Sequence, residues 1–179
     1  VEPGARIFVP ATLERPEFLA VQQLQKTMEN AGGPELLMDR LGELEVDTEG
    51  NIVLSVLEPA STDPLEKDAY TITITPESAS VNGNSPTGLF YGLQTLIQLT
   101  EQFGEELPAL IIEDQPDFQW RGFHHDISRG RVPKLETFKW MIDYLARHKA
   151  NMYQLYVEHP FMFRFNPDIA HNPDGLTPE

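Results

Sequence analysis

The stretch WRGFHHDISR at residues 120–129 decides how the last third of the chain folds. It predicts an apolar strand over 119–126 that ends in charged side chains, followed by a helix over 135–148. A second strand, predicted over 152–157, again ends in ionisable groups, at Glu158 and His159. The pattern predicts a β/α/β unit with charged groups at the carboxyl ends of its strands, where barrel enzymes place their functional residues.

The length of the chain limits what this unit can be. The chain has 179 residues, whereas a complete eight-stranded β/α barrel typically needs about 250. We therefore expect either a fragment or one domain plus a partial second one. Hydrophobic residues make up 40% of the chain and charged residues 23%, close to the average for globular proteins. No apolar run reaches the roughly 18 residues of a membrane span, so we expect a soluble protein with no membrane partner.

Charge and cysteine content exclude several function classes. Acidic residues number 28 and basic residues 13, which gives a formal charge of −15. Such a chain repels phosphate groups, so neither nucleic acid nor an anionic membrane is an expected partner. The chain has no cysteine, which excludes disulfides, thiolate metal sites and cysteine nucleophiles.

The first part of the chain alternates strand and helix patterns. A short strand over 6–10 is followed by a helix that opens at Pro16, with Phe18, Val21, Leu24 and Met28 at helical spacing. The motif NAGGP at 30–34 ends that helix, and an acidic, irregular stretch follows. A run rich in β-branched residues at 51–58 then predicts a buried strand.

A hairpin and a long helix are predicted next. Threonines alternate with large apolar residues over 68–75, and a turn leads to a partner strand over 79–84. Ser85 and Pro86 are an N-cap and a first-turn proline for the next helix. On that helix Gly88 and Gly92 lie four residues apart, where missing side chains allow a close approach.

A last strand over 107–114 and a turn at 115–117 place a domain boundary near residue 115. The fold class is therefore α/β. We expect residues 1–115 to form a small domain with helices on a mostly antiparallel or mixed sheet, and residues 116–179 to form a barrel-like β/α/β unit.

Five sequence segments together resemble glycoside hydrolase family 20, which contains β-N-acetylhexosaminidases. They are AYTI at 69–72, GLFYGLQTLIQL at 88–99, IED at 112–114, WRG at 120–122 and DISR at 126–129. The resemblance is strong over 68–151 and looser before it. It implies that residues 1–115 are the accessory α/β domain of this family and that 116–179 begin its (β/α)8 barrel.

The resemblance also implies an activity. Family members remove terminal β-linked N-acetylhexosamine by a retaining mechanism in which the substrate's own acetamido group is the nucleophile. Their acid is a glutamate preceded by an aspartate at the end of the fourth barrel strand, which lies beyond residue 179. We therefore expect no catalytic residue in this chain and no activity of the chain alone. The implied partners are an N-acetylhexosamine-containing glycan and the rest of the barrel in cis, with no cofactor.

The resemblance assigns candidate roles near the strand ends. Arg121 is expected to bind sugar hydroxyls, with pairing to a barrel carboxylate as the alternative. Glu158 and His159 are expected to contact substrate, with a solvated strand end as the alternative. Asp126 and Arg129 match an Asp-x-Ser-Arg motif and are expected to form a buried structural pair that braces the loop, with direct sugar contact as the alternative.

No metal site is expected at the two adjacent histidines, His124 and His125. Successive strand residues point to opposite faces, so these two side chains cannot easily reach one ion. The second strand also departs from the family pattern, since QLY at 154–156 stands where many members have His-x-His. This difference leaves the sugar preference open.

Two alternatives to the hexosaminidase reading remain. The first domain could act as a non-catalytic carbohydrate- or protein-binding module. A hydrolase of O-linked N-acetylglucosamine would share the substrate-assisted chemistry, but it ranks lower because the Asp-x-Ser-Arg motif is not expected there.

Two further expectations concern exposure and location. The helix over 135–148 carries apolar residues that later barrel elements would cover, so the chain by itself is expected to form a homodimer or to pack them on the first domain. The chain begins at Val1 without a signal-like segment. We expect a processed boundary there, and a parent protein that is secreted or periplasmic.

Overall fold

The computed structural model describes residues 4–42, 48–57, 62–158 and 176. It contains two compact units, Val1–Gln119 and Trp120–Glu179. Among the described residues, no helix has both the length and the apolar character needed to cross a bilayer.

The first unit is built on a six-stranded mixed sheet. Its strands and helices follow in the order β1 (Arg6–Val9), α1 (Arg15–Asn30), β2 (Leu37–Arg40), β3 (Ile52–Val56), α2 (Pro64–Lys67), β4 (Tyr70–Ile74), β5 (Ala79–Gly83), α3 (Pro86–Phe103) and β6 (Leu110–Asp114). The spatial order of the strands is β2-β1-β3-β5-β4-β6. Strands β2, β1, β3 and β5 pair in parallel, whereas β4 is antiparallel to both β5 and β6. The predicted mixed sheet and the predicted β4–β5 hairpin are confirmed.

One hydrophobic core joins the sheet to α1 and α3. Buried and partly exposed residues alternate along β4 and β5, the pattern of a sheet that packs on one face. Helices α1 and α3 contact each other, and α3 also contacts β3, β4 and β5. The predicted apolar face of α1 is confirmed at Val21, Leu24 and Met28, which are all fully buried. Phe18, which was expected on the same face, is 39% exposed. The neighbouring Glu17 is buried instead.

Glycines allow α3 to lie close to the hairpin, as the sequence predicts. A Cβ atom on Gly92 would lie 2.5 Å from Cγ1 of Val81, and one on Gly88 would lie 2.4 Å from the carbonyl oxygen of Ala69. Ser85 caps the helix, because its Oγ accepts a hydrogen bond from the backbone N–H of Gly88 at 3.1 Å. The predicted cap and close approach are therefore both confirmed.

Two short elements differ from the sequence-based expectation. Strand β2 lies in the stretch expected to be irregular, where it pairs with β1 at the edge of the sheet. Its sequence LMDR does not alternate apolar and polar residues, and Asp39 forms an ion pair with Arg6 of β1. Helix α2 was also not predicted, and it begins where the Asp63 side chain accepts a hydrogen bond from the backbone N–H of Leu65.

The second unit contains the predicted β/α/β order. Strand β7 (Gly122–Asp126) is followed by α4 (Leu135–Arg147) and β8 (Met152–Tyr156). The two strands pair in parallel, with Gly122 opposite Met152 and Asp126 opposite Tyr156. The predicted strand over 119–126 therefore begins later, at Gly122. Helix α4 has no buried residue, and its Ile142 is 52% exposed.

Candidate functional site

The two faces of the β7–β8 pair carry different chemistry. On one face, Nδ1 of His124 lies 3.2 Å from Oε1 of Gln154. On the other face, Nδ1 of His125 lies 2.7 Å from the hydroxyl of Tyr153, and its ring is 6.2 Å from that of Phe138 on α4. The two histidines thus point in opposite directions, as expected. Within the part of the chain that the structure describes, no group of three or more histidine, aspartate or glutamate side chains could hold a metal ion.

Five polar residues meet where β7 and β8 end, and we call them the carboxyl-end cluster: Asp126, Ser128, Arg129, Tyr156 and Glu158. Nη1 of Arg129 donates to Oδ2 of Asp126 at 2.9 Å, and its Nη2 donates to Oε1 of Glu158 at 3.2 Å. The backbone N–H of Glu158 donates to Oγ of Ser128 at 2.6 Å. The Tyr156 hydroxyl donates to Oε1 of Glu158. The arginine therefore bridges the ends of the two strands.

The local sequence explains why these side chains converge. In a parallel pair the two carboxyl ends lie at the same edge, and the register places Asp126 beside Tyr156. Oδ1 of Asp126 accepts the backbone N–H groups of Ser128 and Arg129, at 2.9 and 3.2 Å. An aspartate that binds the backbone two and three residues ahead turns the chain sharply. This turn brings Arg129 back over the strand ends.

The charges of the cluster stabilise one another. The pKa of the Asp126 carboxyl is lowered, chiefly by the hydrogen bond from the backbone N–H of Ser128 and further by Arg129. The pKa of Arg129 is raised by Asp126 and Glu158. Two carboxylates and one guanidinium leave this edge net negative. Such a surface disfavours an anionic ligand and is compatible with a neutral sugar.

The predicted pair of Asp126 and Arg129 is present, but it is not buried. The Arg129 side chain is 68% exposed and that of Asp126 is 33% exposed. Arg129 follows β7 in a loop at the strand end, where its guanidinium bonds Asp126 and Glu158.

Arg121 lies at the other end of β7. It directly precedes Gly122, its Nε donates to the carbonyl oxygen of Lys149 at 3.0 Å, and its backbone N–H donates to Oδ1 of Asn151 at 2.9 Å. Strand β7 has five residues, so its two ends are roughly 15 Å apart at about 3.3 Å per residue. Sugar binding by Arg121 stays a prediction.

Of the two other predicted substrate-binding residues, the structure describes one. Glu158 lies in the carboxyl-end cluster, with its side chain 46% exposed. His159 lies outside the described residues. Tyr156 was missed by the sequence analysis, although it lies two residues before Glu158 and on the face of β8 that holds Gln154, a spacing that could have indicated it.

The first unit contains a cleft that is a second candidate for a ligand site. It encloses about 550 Å³ and is lined by residues 49–52, 74–79 and 105–107. Ligand pockets are lined mainly by apolar and aromatic side chains, but none of the described residues that line this cleft is aromatic, and four of them are glutamates. The cleft therefore gives the binding-module alternative no specific support.

The first unit is similar to a family of known proteins. Residues 2–115 match the family model described as "Glycosyl hydrolase family 20, domain 2". A beta-hexosaminidase from Akkermansia muciniphila is 35% identical over 107 residues, which cover 58% of this chain and 22% of that protein. A beta-hexosaminidase from Porphyromonas gingivalis is 32% identical over 120 residues, or 62% of this chain and 15% of that protein. The chain thus spans less than a quarter of the length of either relative.

Solved structures share the fold. A chitobiase from Flavobacterium johnsoniae has a TM-score of 0.75 at 20% identity, over 96% of this chain and 27% of its own. An exo-β-N-acetylglucosaminidase from Vibrio harveyi has a TM-score of 0.66 at 20% identity, over 94% of this chain and 25% of its own. The family match spans more than half of the residues and the fold agrees with it. The chain belongs to glycosyl hydrolase family 20.

Proposed function

We propose that this chain is the N-terminal portion of a β-N-acetylhexosaminidase, which removes terminal β-linked N-acetylhexosamine from glycans. The observation that carries the proposal is the carboxyl-end cluster, which follows a family 20 domain and lies where barrel enzymes bind substrate. The relatives support it, because they are named beta-hexosaminidases.

The chemistry of the cluster suits sugar hydroxyls. A hydroxyl group donates one hydrogen bond and accepts up to two, so its binding site needs both donors and acceptors. Arg129 provides donors in a planar fork, which matches two neighbouring oxygen atoms. Glu158 provides acceptors beside it. The cluster thus binds and orients the terminal sugar, while bond cleavage belongs to other residues.

The cleavage step needs groups from the remainder of the protein. In a retaining, substrate-assisted reaction the acetamido oxygen of the substrate attacks the anomeric carbon and an acid protonates the leaving oxygen. We place that glutamic acid and its neighbouring aspartate beyond residue 179, at the end of the fourth barrel strand. The rest of the barrel, in cis, would also cover the exposed apolar residues of α4.

Hydrolysis by two proteins tests this function. The full-length protein and the chain of residues 1–179 are each incubated with 4-nitrophenyl β-N-acetylglucosaminide and the matching galactosaminide. We expect nitrophenol release by the full-length protein and none by the chain alone. Release by the chain alone would place the acid within residues 1–179, and inactivity of the full-length protein on both substrates would remove the hexosaminidase assignment.

Export is a separate proposal. Polymeric glycans do not cross a cell membrane, so an enzyme that trims them is expected to be secreted or periplasmic. Fractionation of the native host, with an antibody against the chain, tests this directly. Detection in the cytoplasmic fraction only would contradict it.

A further inference from the structure

Basic residues are scarce in the first unit. Residues 1–119 contain 21 acidic and five basic residues, a formal charge of −16, whereas residues 120–179 contain seven acidic and eight basic residues, a formal charge of +1. No lysine or arginine occurs between Lys67 and Arg121, so β4, β5, α3 and β6 contain no positively charged side chain. The negative charge of the chain therefore belongs to the first unit.

The carboxyl ends of the two long helices in this unit do not compensate for that charge. The carboxyl end of a helix is the negative end of its dipole and is stabilised by a nearby cation. The last turns of α1 and α3 have no basic residue, and they contain Glu29 and Glu101. Helix α4 of the second unit has the favourable arrangement, with Glu136 in its first turn and Arg147 in its last.

Further negative charges lie where α3 ends. Gly104 follows the last residue of the helix, and Glu105 and Glu106 come directly after it. Both line the cleft described above, together with Glu49 and Glu77, and all four side chains are exposed. Exposed charges interact within a Debye length, which is about 10 Å at 0.1 M salt and about 3 Å at 1 M. The repulsion among these carboxylates, and between them and the end of α3, therefore weakens as salt is added.

We propose that ionic strength controls the stability of the first unit: dissolved cations screen the acidic cleft and keep the carboxyl end of α3 closed, and this end opens when salt is diluted. A net charge far from zero destabilises a compact state through self-repulsion. The effect is diffuse and needs no bound ion, because among the described residues no group of three or more histidine, aspartate or glutamate side chains could hold a metal ion. The proposal is independent of the proposed function.

Hydrogen exchange of the native full-length protein measures this opening segment by segment. Deuterium uptake is followed by mass spectrometry at one pH, in about 10 mM and about 1 M NaCl, where the Debye lengths are roughly 30 and 3 Å. We expect the backbone N–H groups in the last turn of α3 to exchange roughly fivefold more slowly at the higher salt, the factor for a few charges at a helix end. The last turn of α4 is the internal control. Salt should not slow its exchange, because screening weakens the favourable interaction of Arg147 with the dipole.

Two double variants of the full-length protein separate the cleft from the overall charge. Glu105→Gln with Glu106→Gln removes two charges at the end of α3, so exchange there should be slower than wild type at low salt and should respond less to added salt. Glu66→Gln with Glu113→Gln is the matched control, since it removes the same charge at the opposite end of β4. Glu66 lies in the helix before β4, and Glu113 pairs with Thr71 near the start of that strand. The control should keep the wild-type salt response in the last turn of α3.

The identity of the salt separates screening from ion binding. NaCl and KCl at equal ionic strength should slow the exchange of the α3 end equally, and calcium at millimolar concentration and constant ionic strength should leave it unchanged. A saturable response to calcium would show a bound ion and would overturn the diffuse effect. Exchange in the last turn of α3 that does not change with salt, or equal effects of the two double variants, would also overturn the proposal.

Discussion

Glu17 gives a stability prediction that can be worked out from the structure. Its side chain is in the first turn of α1 and is 3% exposed, and its Oε2 has no hydrogen-bond partner among the described residues. Burial is the largest cause that raises the pKa of its carboxyl, with a smaller contribution from Glu14. The ionised group is therefore unfavourable in the folded state.

The expected magnitude combines two opposing effects. A buried polar group without a partner costs about 1–3 kcal/mol, and a negative charge at a helix N-terminus returns about 0.3–1 kcal/mol. Replacing Glu17 by glutamine keeps the shape and still leaves one buried polar atom without a partner, so it relieves only the additional cost of burying the charge. We therefore expect Glu17→Gln to raise the free energy of unfolding at pH 7 by about 1 kcal/mol.

The pH dependence has a definite sign. Because the folded-state pKa of Glu17 lies above its unfolded value of 4.5, the folded state binds more protons between these two values, and stability falls as pH rises through that window. The gain from Glu17→Gln should therefore be small at pH 4, should grow through the window and should then stay constant.

Urea unfolding followed by far-UV circular dichroism measures this effect. Fluorescence is unsuitable because both tryptophans, Trp120 and Trp140, lie in the second unit. Glu29→Gln, an exposed carboxylate in the last turn of the same helix, is the control and should change stability by less than about 0.5 kcal/mol. A destabilised Glu17→Gln variant at pH 7, or an equal gain at pH 4 and pH 7, would refute the reasoning.

Three further changes are predicted. Tyr70→Phe removes a hydroxyl that donates to Oδ2 of Asp114 at 2.5 Å, and urea unfolding should show a loss of about 1–2 kcal/mol because the carboxylate loses a donor. Gly92→Ala places a methyl group 2.5 Å from Cγ1 of Val81 and should cost about 1–3 kcal/mol by overpacking, measured in the same way. Arg129→Ala in the full-length protein should lower kcat/KM for the aryl N-acetylglucosaminide roughly 10- to 150-fold.

The outcomes that would contradict these three predictions are specific. Unchanged stability of Tyr70→Phe would mean that the hydroxyl bond contributes nothing net, and unchanged stability of Gly92→Ala would mean that α3 can shift without cost. Arg121→Ala is the comparison for Arg129→Ala, since Arg121 lies at the opposite end of β7. A larger kinetic loss in Arg121→Ala would reverse the assignment of the sugar-binding arginine.

The sequence predicts those parts of the fold in which pattern and packing agree. The alternation of threonine and apolar residues over 70–74 predicts β4 and its hairpin, because one face of that strand is buried. Gly88 and Gly92 likewise indicate close packing in advance. Strand β2 escapes prediction, since an edge strand of four residues has too little buried surface to impose a period.

The candidate site is likewise only partly predictable from the sequence. The charged ends of β7 and β8 are visible in the sequence because ionisable residues follow apolar runs. The contacts of Arg129 with Asp126 and Glu158 are not visible there, since they depend on the turn that Asp126 makes with the backbone. The place of Tyr156 in the carboxyl-end cluster depends on parallel register across about 30 residues of intervening chain, which no local pattern contains.

The stereochemistry of hydrolysis tests the central claim most directly. Proton NMR of the full-length protein acting on 4-nitrophenyl β-N-acetylglucosaminide identifies the anomer of N-acetylglucosamine that forms first. A retaining, substrate-assisted hexosaminidase must release the β-anomer before mutarotation. First release of the α-anomer, or no hydrolysis of either aryl N-acetylhexosaminide, would contradict the account.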